Sequence, residues 1–170
     1  MNRHFFACGW ILVSTALAAA AEPVRVVVWD ERQPRQKTAY PDFLGNQIAG
    51  YLKSRPGLDV TSVSLDDKGQ GISTGTLDRC QVLIWWGHVR QGLIKPRQGQ
   101  EIVRRIRAGK LSLIALHSAH WSTPFIEAMN SRSVEDALKQ VAEGKRKTAL
   151  VRQLAPLPPL YRAPGRDAAL

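Results

Sequence analysis

Cysteine is close to absent, with two in 170 residues. Cys8 falls in an N-terminal leader described below, so Cys80 stands alone in the mature chain and no disulfide can form within it. An exported domain without disulfides depends on its hydrophobic core, which about 150 residues can supply. Cys80, beside an apolar strand pattern, is expected to pack as a small apolar group. No membrane-length apolar run follows the leader. Aromatic interleaving is missing from the basic segments Arg97–Lys110 and Gly144–Arg152, although the formal charge is +10. Without stacking residues a single-strand nucleic-acid binder is not indicated. In Val103-Arg104-Arg105-Ile106-Arg107 the apolar residues keep helical spacing, which describes a solvated helix face. Gly69, Gly71 and Gly75 lack the Gly-x-Gly-x-x-Gly spacing, so no dinucleotide is expected.

The leader is built from Arg3 and His4, an apolar run from Phe5 to Leu17, and Ala18–Ala21 as a small-residue cleavage site. This pattern predicts a secretory signal peptide over residues 1–21, hence a secreted or periplasmic protein. Cys8 lies too near the N-terminus for a lipoprotein cysteine.

The mature chain alternates strands and helices. Val24–Trp29 is β-branched and continuous, the mark of a buried parallel strand. Phe43–Ser54 has the amphipathic spacing of a helix, with Asp42 near its start and Arg55-Pro56-Gly57 at its end. Leu58–Leu65 predicts a second strand, Asp66–Thr76 a loop, and Val82–Trp86 a third buried strand. Ile94–Ala108 predicts a helix, with Pro96 in its first turn and Gly109 past its end. Leu111–Leu116 predicts a fourth, fully buried strand, after which Ser122 or Thr123 caps a helix entered by Pro124. Val134–Glu143 has helical composition, Thr148–Leu154 could form a strand, and Ala155–Arg166 is proline-rich without a core pattern. The fold class is therefore α/β, a three-layer sandwich on a parallel sheet. Residues 22–132 form its domain, and 133–170 are a helix and tail belonging to an incomplete C-terminal side.

In a parallel sheet all strand C-termini lie along one edge. Here that edge receives Asp30-Glu31, Gly87-His88 and His117-Ser118-Ala119-His120. One reading is a metal site: His88, His117 and His120 as ligands of zinc or a similar divalent ion, with Asp30 or Glu31 as fourth ligand or acid/base. A second is a metal-free sugar or anion pocket, and a third is structural histidines. Ser118 is a candidate nucleophile, but Leu116 and His120 stand where Gly-x-Ser-x-Gly requires small residues. Among the tryptophans, Trp29 and one of the Trp85–Trp86 pair suit the core, and Trp121 suits a pocket wall.

Val28-Trp29-Asp30-Glu31, Trp85-Trp86-Gly87-His88 and Leu116-His117-Ser118-Ala119-His120-Trp121-Ser122 together resemble the ThuA-like (trehalose utilisation) family, over roughly Val24 to Arg132. The resemblance implies a flavodoxin-like fold shared with class I glutamine amidotransferases. It also implies a role in metabolism of trehalose-like or 3-keto glycosides, beside an oxidoreductase partner. Where the amidotransferases carry a cysteine this chain has His117-Ser118, so glutaminase activity is not expected. Members of the family continue past the point corresponding to Leu170, and the chain reads as truncated. The expectation is a metal-assisted, sugar-processing domain; the alternatives are a non-catalytic carbohydrate-binding or partner-docking domain and an inactive truncated copy.

Overall fold

The computed structural model describes residues 21–152; all but the last residue of the expected signal peptide, and the stretch Ala155–Arg166, lie outside the described residues. Four strands, β1 (Val24–Asp30), β2 (Leu58–Ser64), β3 (Val82–Trp86) and β4 (Ser112–Ala115), form one sheet in the order β2-β1-β3-β4. Every pairing is parallel. The helices are α1 (Leu44–Lys53), α2 (Thr74–Asp78), α3 (Pro96–Arg107) and α4 (Thr123–Lys139), with short 3-10 turns between elements. This is the doubly wound α/β layout of a flavodoxin-like three-layer fold.

Alternation along β1 divides the core. Val26 and Val28 turn to one face and pack with Ala49 of α1 and Val60. Val27 and Trp29 turn to the other, with Leu83, Trp85, Ile102 and Leu111. Trp29 and Trp85 are register partners, stacked with ring centroids 3.8 Å apart and planes 13° apart. The Trp29 indole N–H donates to the Gln70 carbonyl at 2.8 Å, satisfying its one polar atom. Cys80 is buried in the same layer, and burial pushes its thiol up to about 11. It is an inert packing group, as its surroundings in the sequence suggested.

Several boundaries differ from the sequence reading. The Asp66–Thr76 stretch carries a 3-10 turn and, from Thr74, the short helix α2, which Ser73 caps by accepting the Thr76 N–H. The two expected helical segments after Ser122 are one continuous helix, α4, so the division expected at residue 133 falls inside it. Residues 148–152 carry no strand. Strand β4 is not fully buried: among the described residues it is the sheet edge, and Ile114 is 46% exposed. The cause is the reach of α1, which packs on β1 and β2 and leaves the same face open over β4. Among the described residues no helix is long and apolar enough to cross a membrane.

Candidate functional site

The C-terminal edge of the sheet gathers the loops after β1, β3 and β4, as the parallel topology requires. Its carboxylates face inward. Asp30 is fully buried; its Oδ1 accepts the Arg32 N–H at 2.7 Å and the Gln36 Nε2–H at 2.9 Å, and its Oδ2 accepts the Gly45 N–H at 2.7 Å. The other end of the Gln36 amide accepts the Leu44 N–H at 2.7 Å. Leu44 and Gly45 open α1, whose own N-cap position, Phe43, offers no side-chain acceptor. Asp30 and Gln36 thus cap α1 from outside the helix, satisfying amides that would otherwise be orphaned. A Cβ on Gly45 would stand 2.5 Å from the Asp30 Cβ, so the approach depends on glycine.

Glu31 is also fully buried, and it ties the first loop to the third strand. Its Oε1 accepts the Val89 N–H at 2.8 Å and its Oε2 the Arg90 N–H at 2.7 Å; the Gln33 side-chain amide donates to Oε1 as well. Arg90 returns a bond from Nη1 to the Glu31 carbonyl at 3.2 Å and pairs with Asp66 at 2.5 Å. Hydrogen bonding to Arg90 lowers the Asp66 carboxyl from its ordinary value.

Ser118 joins the third and fourth strand ends. Its Oγ donates to the Gly87 carbonyl at 3.0 Å, and the Gln91 Nε2–H donates to the Ser118 carbonyl at 3.0 Å. The Gln91 side chain is fully buried, with its Oε1 unpartnered among the described residues. Gly87 leaves the room: a Cβ there would meet the Gln91 Cβ at 2.8 Å and the Glu31 Oε2 at 3.2 Å.

The apex of the turn after β4 is His117, not Ser118. His117 has φ +46°, the left-handed region that costs a residue with a Cβ of the order of 1 kcal/mol or more. It is exposed, while Ser118 beside it is buried with its hydroxyl committed. His120 is exposed and its Nδ1 lies 3.0 Å from the His117 carbonyl. A carbonyl only accepts, so Nδ1 carries the proton and Nε2 of the neutral ring is the acceptor. Trp121 is 42% exposed and lies tilted against His120, centroids 5.2 Å apart. With Phe125, Ile126, Met129 and Asn130 these two residues line a hollow of about 210 Å³. His88 is exposed in the turn that follows β3.

The residues expected to bind a metal are not assembled for it. Among the described residues no group of three or more His, Cys, Asp or Glu side chains is placed to hold an ion. The oxygens of Asp30 and Glu31 each accept at least one N–H. Asp30, Glu31 and Ser118, the expected catalytic residues, are buried and hold these bonds at the strand ends. Sequence reasoning missed Gln36, Gln91 and Arg90, which lie in polar loops where no periodicity distinguishes a buried bridging side chain from a solvated one. No family model and no curated protein matches the chain.

Proposed function

We propose that the chain is a ThuA-like domain that binds a carbohydrate, trehalose-like or a 3-keto glycoside, over the turn His117–Trp121. The observation that carries this reading is the left-handed His117. Backbone strain of this kind persists where surrounding structure over-determines it, and it clusters where a side chain must be presented to a ligand. Here the Ser118–Gly87 and Gln91–Ser118 bonds supply that determination. Beside it Trp121 offers an aromatic face for a sugar ring, and His120 an acceptor nitrogen for a hydroxyl. The buried carboxylates, each accepting three N–H donors, favour binding without turnover, with presentation of the sugar to an oxidoreductase partner in a secreted or periplasmic setting.

Calorimetry with trehalose, maltose and a 3-keto glycoside, followed by product analysis, tests the reading. The expected outcome is binding of one glycoside with no product, abolished in Trp121→Ala and weakened in His117→Ala while both variants melt as the parent does. Absence of binding to any sugar overturns it. Turnover on adding zinc would return the metal-assisted enzyme to first place.

A further inference from the structure

A second cleft lies away from the rim, between α2 and α3. It is an open groove of about 870 Å³ whose walls include Thr74, Lys95, Arg97, Gln100 and Glu101. A second hollow of about 400 Å³, lined by Arg25, Gln81 and Lys110, adjoins it, the two sharing Leu77, Asp78, Arg104 and Arg105 as walls. The groove follows α3, twelve residues and so about 18 Å in length. Cations mark its whole course: Lys95 and Arg97 at one end, Arg104 and Arg105 in the middle, Arg25 and Lys110 at the other. Two carboxylates oppose them. Arg105 is buried and pairs with Asp78 at 2.8 Å and Glu101 at 2.7 Å, and Arg104 pairs with Glu101 at 2.7 Å. The side chains of Lys95, Arg97, Arg25 and Lys110 have no carboxylate partner among the described residues.

Cations lining a concave groove focus a positive potential in a way that the same charges on a convex helix face do not. Their spread along a helix, rather than convergence on a point, suits an extended anion instead of a single small one. Among the described residues no aromatic side chain lines either section. Stacked bases of single-stranded nucleic acid and the rings of a neutral glycan both call for such faces. A duplex calls for a protruding element to enter its groove, the reverse of a cleft.

We propose that this groove binds an acidic polysaccharide, a chain of carboxylated or sulfated sugars lying along α3. The forks of Arg25 and Arg97 meet its carboxylate or sulfate groups, and Lys95 and Lys110 act as point charges at the two ends. Thr74 and Gln100, both exposed, are placed to hydrogen-bond its hydroxyls.

Fluorescence anisotropy with labelled dextran sulfate in 0.15 M salt, beside uncharged dextran and oligo(dT), tests the assignment. The double variants Lys95→Ala/Arg97→Ala and Arg25→Ala/Lys110→Ala should each bind dextran sulfate roughly tenfold more weakly. The control Lys145→Ala/Lys147→Ala removes equal charge outside the groove and should stay within about twofold of the parent. Uncharged dextran should not bind. The proposal is overturned by no binding of dextran sulfate, by equal losses in the control, or by oligo(dT) binding more tightly with the same pattern of loss. Unchanged thermal melting of the variants, whose altered side chains make no ion pair among the described residues, keeps loss of fold from imitating loss of contact.

Discussion

Replacing Asp30 by Asn separates a scaffold role from a chemical one. The substitution keeps size and shape but turns one carboxylate oxygen into an NH2 group. The position is fully buried, and three N–H groups point at it, from Arg32, Gln36 and Gly45. If the asparagine oxygen stays where two donors converge, its NH2 faces the Gly45 N–H, and two donors oppose each other at the start of α1. Loss of that charge-assisted bond costs about 1.5–3 kcal/mol, and the two remaining bonds fall to neutral strength at about 0.5–1 kcal/mol each. The total is about 2.5–5 kcal/mol, a large share of the stability of a domain this size. Urea denaturation followed by circular dichroism should show this loss, and the melting temperature should fall by roughly 8–20 °C. Sugar binding by the folded fraction should be unchanged, because the carboxylate lies under the rim. A variant as stable as the parent, with binding or turnover lost, would refute the reasoning and restore Asp30 to the chemistry.

His117→Gly should be about 1 kcal/mol more stable than His117→Ala by chemical denaturation, because glycine adopts φ +46° freely whereas alanine keeps the strain; equal stabilities would mean that the turn holds none. Gly87→Ala brings a Cβ to 2.8 Å from that of Gln91 and should cost about 1–3 kcal/mol in the same assay; an unchanged midpoint would mean that the three loops are not locked together. Hydrogen bonding to Arg104, reinforced by Arg105, holds the Glu101 carboxyl at about 2, below its ordinary 4.5. Its stabilising effect is therefore complete above pH 4.5 and is lost as the pH falls toward 2. With the side chain 32% exposed, that effect is below about 1 kcal/mol, and Glu101→Gln should flatten the melting curve against pH by that amount over this window. Leu83→Ala, at a fully buried position, should cost about 2–5 kcal/mol. Ile114→Ala on the open edge should cost under about 1 kcal/mol, and a larger loss there would show that the edge is covered in solution.

The layered sheet was legible because its signals are local. The apolar runs of β1 and β3 stop where polar residues begin, and α3 is framed by Pro96 and by Gly109, whose φ of +67° only glycine adopts with ease. The continuity of α4 was not legible. Its buried residues, Thr123, Pro124 and Ile126, all lie in the first turn, so the remainder carries no periodic apolar face. The half-open state of β4 depends on which strands α1 reaches, and no residue of β4 encodes that. The direction of Asp30 and Glu31 was hidden for a similar reason. Their chemistry suits catalysis as well as capping, and the deciding partners stand 15 and 58 positions along the chain. Trp29, Trp85 and Trp121 divided into core and surface as alternation along the strand and position in the turn led one to expect.

Doubly wound sheets bind ligands where strand order reverses, outside neighbouring strands whose helices leave toward opposite faces. In this chain that crevice lies between β1 and β3, since α1 packs on one face and α3 on the other. Glu31 closes it: a single carboxylate of the β1 loop takes the Val89 and Arg90 amides of the β3 loop. A ligand entering there would have to displace a buried charge from two backbone donors, at a cost of several kcal/mol. The open part of the rim is therefore shifted by one strand, to the β4 turn with its exposed His117 and Trp121. The same closure accounts for the strain. With β1 stitched to β3 by Glu31, and β3 to β4 by Gln91 and Ser118, the turn has no slack in which His117 could relax. Cutting the second stitch while keeping the first, as in Gln91→Ala, should free His117 and lower affinity at the rim with β1 and α1 still in place.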